Sequence, residues 1–219
     1  MATIQFSFDK KNTFCISPES HTERWSSMER RFNEMNLEVT RHIASPSVSS
    51  KYNYASYLND GQKRCAQSHI QLWEHVLENH QPYAMIIEDD AVFDNQWREK
   101  IEELNITKID CWDAIFLNSS EPEHNAFSWV KSENQYLTGC YIISRQGIFA
   151  LLEIFKDEFH ASDYMTVELQ KRSNSFTYFP WIVIQEGKDS TIGSNSNEDN
   201  KKVIRCLKEI NYGLENYIF

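Results

Sequence analysis

Glycine is scarce in this chain: six in 219 residues, at positions 61, 139, 147, 187, 193 and 213. No spacing among them makes G-x-G-x-x-G or G-x-x-x-x-G-K-[ST], so phosphate cradles built on glycine loops are excluded. No apolar run approaches the ~18 residues of a membrane span. The first eleven residues carry Asp9, Lys10 and Lys11 without an apolar stretch. No secretory signal is therefore expected, and a cytoplasmic location is. The five cysteines contain no C-x-x-C pair, which argues against zinc ribbons and dithiol redox motifs. They are expected to be buried, reduced thiols. Basic residues are outnumbered, 22 against 32 acidic, for a net charge of −10. With a pI near 5.2 and no basic run, a nucleic-acid partner is not expected.

What is present is ordinary for a soluble domain, with 41% hydrophobic and 25% charged residues, but aromatics reach 13%. The length suits one α/β domain over residues 1–219. Its core is expected over about 12–192, with a polar loop at 187–200 and a short helical tail. Such a chain buries roughly 70% of its unfolded surface, so neither metal nor disulfide is needed to build a core. Two matches to the N-glycosylation pattern, at Asn105 and Asn118, are read as chance without a secretory signal.

Apolar periodicity predicts alternating elements. Residues 12–17 and 37–44 read as strands. Between them Trp25, Met28, Phe32 and Met35 recur at helical spacing, with Glu23, Arg24, Glu29, Arg30, Arg31 and Glu34 on the other faces. Ser20 or Thr22 is the expected cap of that helix. Residues 45–60, rich in Ser, Asn and Tyr, read as a long loop of the kind that often carries function. A helix over 61–79 places Cys65, His69, Leu72, Trp73 and Val76 on one face. Strands follow at 83–87, 112–117, 126–131 and 139–144. Helices are predicted over 95–104, 146–156, 162–172 and 198–209, and 176–184 is a strand region broken by Pro180. This alternation predicts an α/β fold with a largely parallel sheet.

The strand at 83–87 ends in Glu88-Asp89-Asp90. Three crowded carboxylates repel, and desolvating them is costly. A hard cation such as Mn²⁺ or Mg²⁺ would relieve both costs. Alternation along an extended segment sends Glu88 and Asp90 to one side and Asp89 to the other. A solvated turn is the simpler alternative. His69, on an apolar helix face, reads as a core histidine bonded to backbone, and Trp25 and Trp73 read as core. Tyr52, Tyr54 and Tyr57 are candidates for stacking on a sugar or base, or alternate along a buried loop.

The segment from Gly61 through Cys65, Ser68, His69 and Trp73, followed by Tyr83-Ala-Met-Ile-Ile-Glu88-Asp89-Asp90, resembles glycosyltransferase family 25. That family contains lipooligosaccharide and collagen galactosyltransferases. Phe14 to Trp25, Thr138-Gly139-Cys-Tyr141-Ile-Ile-Ser144, Ser162-Asp163-Tyr164 and the Pro180 to Ser190 stretch fit the same pattern in order. The chain departs from it in Cys-Ile-Ser of the first strand and in Gly61-Gln-Lys-Arg.

The resemblance implies a GT-A-type nucleotide-diphospho-sugar transferase fold with a central, mostly parallel mixed sheet flanked by helices. It implies a UDP-hexose donor, often Mn²⁺, and a hydroxyl acceptor on a glycan, glycolipid or protein. Asp90 and Glu88 become the metal and diphosphate contacts, and Asp89 a supporting or ribose contact. Arg24 is a candidate nucleotide contact or a surface charge. Asp163 is a candidate base for an inverting displacement or a helix cap. Gln185 is a candidate metal or donor contact or a strand-end polar residue. A metal-dependent phosphoesterase or UDP-sugar hydrolase, and an inactive sugar-binding homologue, are the alternative readings of the same acids.

Overall fold

The computed structural model describes residues 6–106, 112–119, 127–186 and 196–219, with the side chains of 105, 106 and 196–200 left aside. Cys111, the ends of both glycosylation patterns (Thr107 and Ser120), residue 126 and the polar stretch 187–195 lie outside the described residues. In chain order the elements are β1 (Thr13–Ser17), α1 (Thr22–Glu34), β2 (Thr40–Ile43), α2 (Asp60–Glu78), β3 (Tyr83–Glu88) and β4 (Ala91–Asp94). Next come α3 (Trp97–Ile106), β5 (Ala114–Phe116), β6 (Ser128–Lys131), β7 (Cys140–Ser144), α4 (Arg145–Ile154) and α5 (Ser162–Arg172). The chain ends with β8 (Ser175–Phe179), β9 (Val183–Gln185), α6 (Ser196–Glu209) and β10 (Tyr217–Ile218).

The main sheet has seven strands in the order β2-β1-β3-β7-β5-β8-β6. β2, β1, β3, β5 and β8 share one direction, while β7 and β6 are reversed. The sheet is therefore mixed but mostly parallel in sense. Both faces are covered, which explains the near-continuous apolar strands. Alternation sorts them: Phe14, Ile16, Ala84, Ile86, Phe116, Tyr141 and Ile143 pack with α2, α4 and α5. Cys15, Met85, Ile87, Ile115 and Ile142 face the other way, toward α1 and α3. α4 lies so close to the chain at Asp113 that a Cβ on Gly147 would meet the Asp113 carbonyl at 2.3 Å.

Several expectations change. α1 starts at a His21 cap that makes no side-chain bond, so neither Ser20 nor Thr22 caps it. Arg31 is buried rather than on an outer face. It pairs with Glu186 at 3.1 Å and donates to the Ala91 carbonyl. α2 begins one residue earlier than expected, behind a capping box of Asn59 and Gln62. The region around Pro180 is two strands in two sheets, because β9 joins β4 and β10 in a second, three-stranded antiparallel sheet. β4 and β10 are too short to carry a period and were not expected. Cys15, Cys140 and Cys206 are buried, whereas Cys65 is half-buried. Asn118 is also buried, its Oδ1 accepting the Gly139 N–H, so it offers no glycosylation acceptor. Among the described residues no helix is long and apolar enough to cross a membrane.

The small sheet is locked by a buried ion pair. Asp94 accepts from Lys100 Nζ and from the Tyr212 hydroxyl, and Lys100 Nζ also donates to Tyr212 at 2.9 Å. Removing one partner strands a buried charge. Asp94→Ala is therefore expected to cost about 3–5 kcal/mol in urea unfolding, and a loss below about 1 kcal/mol would show the pair to be solvated.

Candidate functional site

β3 delivers the three acids to the sheet edge where a cavity of about 830 Å³ opens, a size typical of small-molecule sites. Arg24, Glu88, Asp89, Asp90, Asp163 and Gln185 all line it. The acids part as the strand alternation requires. Asp89 turns to α1, where His21 Nδ1 and Arg24 Nη1 each lie 3.1 Å from one of its oxygens. Glu88 turns to α2 and to Thr138, two residues before β7. His69 Nε2 is 3.3 Å and Thr138 Oγ1 2.8 Å from Glu88 Oε1. Gln185 Nε2 lies 3.4 Å from both Glu88 Oε2 and Asp90 Oδ1. It is brought there because β9 pairs Gln185 with Ala91, immediately after the acids. The Glu186 N–H to Asp90 carbonyl bond holds the same junction.

His69 is buried, but its partners are side chains, not backbone. Trp73 Nε1 donates to the Tyr141 hydroxyl at 3.0 Å, and that hydroxyl meets His69 Nδ1 at 2.9 Å. The indole only donates and an ionised carboxylate only accepts. Every group is satisfied when Tyr141 donates to Nδ1 and the Nε2–H donates to Glu88. The chain of bonds thus occupies Oε1 and leaves Oε2 facing the cavity with Gln185. Cys65, His69 and Glu88 also place one ligand atom each within 4.8 Å of one another. That soft set is disfavoured for a cation, because the Nε2 proton is committed to Glu88 and burial holds the Cys65 proton on, raising its pKa. Glu88 Oε2 and Asp90 Oδ1, which both meet the Gln185 amide nitrogen, are carboxylate oxygens of the kind that could hold a hard divalent ion instead.

Electrostatics separates the acids. Burial raises the Glu88 pKa, but the hydrogen bond and polarity of His69, the Thr138 bond and the Arg24 charge outweigh it, and the net value is lowered. Asp90 has no comparable partner. Burial first, then the Glu88 charge, push it up to about 7. Asp163 is also raised, by burial and then by the Glu88 charge, against a backbone bond that lowers it. Asp163 is not the helix cap: α5 is capped by Ala161 with no side-chain bond, and Asp163 Oδ1 accepts only the Tyr164 N–H. Residues 44–59 form a packed segment. Tyr52 is buried and Tyr54 half-buried against the core, leaving Tyr57 as the exposed ring.

Sequence reasoning missed His21, Tyr141 as a bonding group, Thr138 and Ser162. His21 carried a signal, since it sits three residues before Arg24 and shares its helix side. Leu137, also on the cavity wall, has φ 85, a left-handed conformation that costs a leucine about 1–3 kcal/mol.

The family model described as "Glycosyltransferase family 25 (LPS biosynthesis protein)" matches residues 10–131. The chain belongs to glycosyltransferase family 25. A Haemophilus influenzae protein named "Putative glycosyltransferase" is 28% identical over 240 residues, covering 90% of this chain and 83% of that protein. Human procollagen galactosyltransferase 2 is 30% identical over 101 residues, 41% of this chain and 16% of that protein. The family 25 chain thus spans a small part of the longer animal relatives. A solved glycosyltransferase involved in glycosylating the major capsid of PBCV-1 aligns over 89% of this chain and 99% of its own, at 7% identity and TM-score 0.38, too distant to bear on chemistry.

The titrations have a definite sign. Asp90 is raised from 3.8 to about 7 on folding. Its contribution to stability is full below its unfolded value and is lost as pH rises through about 7. Asp163 acts in the same sense. Glu88, being lowered, contributes above its unfolded value and loses this only in acid. Metal-free protein is expected to lose thermal stability from about pH 4 to about 7. Carboxyl ¹³C NMR should show Asp90 titrating near 7, and an ordinary aspartate value would refute the assignment.

Tyr141→Phe leaves the buried Trp73 N–H and His69 Nδ1 without their partner. It is expected to cost about 1–3 kcal/mol and to raise the Glu88 titration. An unmoved Glu88 would show that the bonded chain does not act on it.

Proposed function

We propose that this chain transfers a hexose from a UDP-sugar to an acceptor hydroxyl, with inversion, using a divalent cation held by Asp90 and Glu88. The observation that carries the reading is Asp90: a cavity carboxylate beside an ionised neighbour, where the Arg24 charge and a long bond from the Gln185 amide fall short of offsetting burial and the Glu88 charge. A bound cation would supply the missing charge and, as a Lewis acid, stabilise the leaving diphosphate. Mn²⁺ fits the all-oxygen set, and Mg²⁺ fits it as well. Glu88 offers Oε2 while its Oε1 is tied to His69 and Thr138, and Gln185 lies between the two carboxylates. Arg24 and His21 orient Asp89, and Arg24 brings positive charge to the side of the cavity reached from α1, where a nucleotide is best accommodated.

Asp163 takes the acceptor proton. The acceptor oxygen then bonds to the sugar anomeric carbon, and the bond from that carbon to the diphosphate oxygen breaks, its electron pair leaving with UDP. A raised pKa suits a base working near neutrality. The likeness to human procollagen galactosyltransferase 2 supports galactose as the sugar, and the family's tie to LPS biosynthesis supports a lipopolysaccharide-type glycan among the acceptors. The whole site draws on residues 21–185, which supports reading it as one domain.

Calorimetry with UDP and Mn²⁺ tests the reading. Binding is expected only with metal, tightening about tenfold per pH unit up to about 7 as Asp90 gives up its proton. Asp90→Ala should weaken it at least about 100-fold. Asp163→Asn should keep UDP binding but slow transfer by about 10²–10⁴-fold. Metal-independent UDP binding would remove the cation role. Release of free sugar in the presence of every acceptor would favour the hydrolase reading, and absence of UDP binding an inactive homologue.

A further inference from the structure

Flanking the cavity wall at Ala161, Ser162 and Asp163, outside the lining itself, lies a strip of aromatic rings. Tyr57 is 66% and Tyr164 40% exposed, and His160 stands between them. The Tyr57 and His160 ring centroids are 5.8 Å apart, and those of His160 and Tyr164 4.9 Å, each pair tilted by 40°. The strip is held rigid. The Tyr57 hydroxyl and His160 Nδ1 share a hydrogen bond of 2.8 Å, and His160 Nε2 lies 3.6 Å from Glu158. Phe155 supports His160 and Tyr164 from beneath. The segment bearing Tyr57 is pinned by two backbone bonds, the Ala55 N–H donating to the Phe159 carbonyl and the Phe159 N–H to the Asn53 carbonyl. Ala161 and Asp163, which line the cavity, lie between His160 and Tyr164 in the chain.

We propose that Tyr57, His160 and Tyr164 form a platform for a pyranose ring of the acceptor, so that the acceptor is itself a carbohydrate. This rests on the transferase reading, in which Asp163 is the base. The polarised C–H face of a pyranose is attracted to the negative face of an aromatic ring. Ring spacings close to the length of one sugar unit suit a glycan chain lying along the strip. Glu158 and Asp163 make the surroundings acidic, which suits a neutral polyol whose hydroxyls donate to carboxylates and repels phosphate-bearing groups. Two rings already fixed in place lose little freedom on binding, so even a weak contact per ring is retained.

Saturation-transfer NMR tests this, with methyl pyranosides of glucose, galactose, mannose and N-acetylglucosamine in the presence of UDP and Mg²⁺. At least one pyranoside is expected to receive saturation on its ring C–H protons. Tyr57→Ala and Tyr164→Ala should each weaken it about tenfold, while Tyr57→Phe, which keeps the ring, should retain it. Phe149→Ala, an exposed ring outside the strip (53% exposed), should have no effect. Unfolding midpoints of all variants are recorded to confirm folding. Contact with no pyranoside, or contact that persists in the Tyr57→Ala/Tyr164→Ala double variant, overturns the platform. So does Tyr57-dependent binding of a basic hydroxylysine peptide in place of sugars. UDP binding by the wild type, measured separately, distinguishes this failure from failure of the transferase reading.

Discussion

Three carboxylates at the end of one buried strand impose the constraint around which the rest of the site is arranged. Left alone, they would repel one another and lose hydration together. The fold answers each acid differently. Asp89 is turned to α1 and matched with Arg24 and His21. Glu88 is turned to α2 and receives hydrogen bonds from His69 and Thr138. Asp90 is given a long contact to Gln185 and the field of Arg24, which do not offset burial and the Glu88 charge. The compensation is uneven, and the unevenness produces one ionised acid and one that keeps its proton to near neutrality. Uniform neutralisation by protein groups would have left no place for a further positive charge.

Holding that arrangement takes parts of the chain far apart in sequence. β3 lies between β1, which leads into α1, and β7, which begins just after Thr138. The second sheet adds the remaining wall, because pairing β9 on β4 sets Gln185 against the residue that follows Asp90. Arg31 fastens this junction from below, bonding the Ala91 carbonyl and Glu186 together. Its burial, unusual for an arginine, is explained by what it joins. The Asp94–Lys100–Tyr212 cluster extends the same anchoring to the C-terminal segment.

The strands and helices of the main sheet were legible because they are long or strongly periodic, and the acidic triplet because its position after an apolar strand is unusual. All six residues proposed from the sequence line one cavity. Less was legible where tertiary structure overrides local pattern. β4 and β10 have four and two residues, too few for a period. Arg31 has the sequence of a surface charge and the environment of a core residue. The His69 bonds depend on Tyr141, 72 positions away, and such pairing leaves no trace in spacing. Tyr52, Tyr54 and Tyr57 look equivalent in sequence; only their packing separates the exposed ring from two that serve the core.

The two raised aspartates, Asp90 and Asp163, owe their shifts to burial and to the same Glu88 charge, yet their surroundings suit opposite tasks. Asp90 and Glu88 each place a carboxylate oxygen beside the Gln185 amide nitrogen, so a cation there would lower the Asp90 proton affinity. Asp163 stands at the start of α5, next to an exposed aromatic strip. In the proposed mechanism a cation bound at Glu88 would cancel part of the charge that raises Asp163 and make it a weaker base. Donor loading and base strength would thereby be linked through Glu88. That mechanism requires burial, the larger cause of the Asp163 shift, to keep the carboxylate basic after the Glu88 charge has been neutralised.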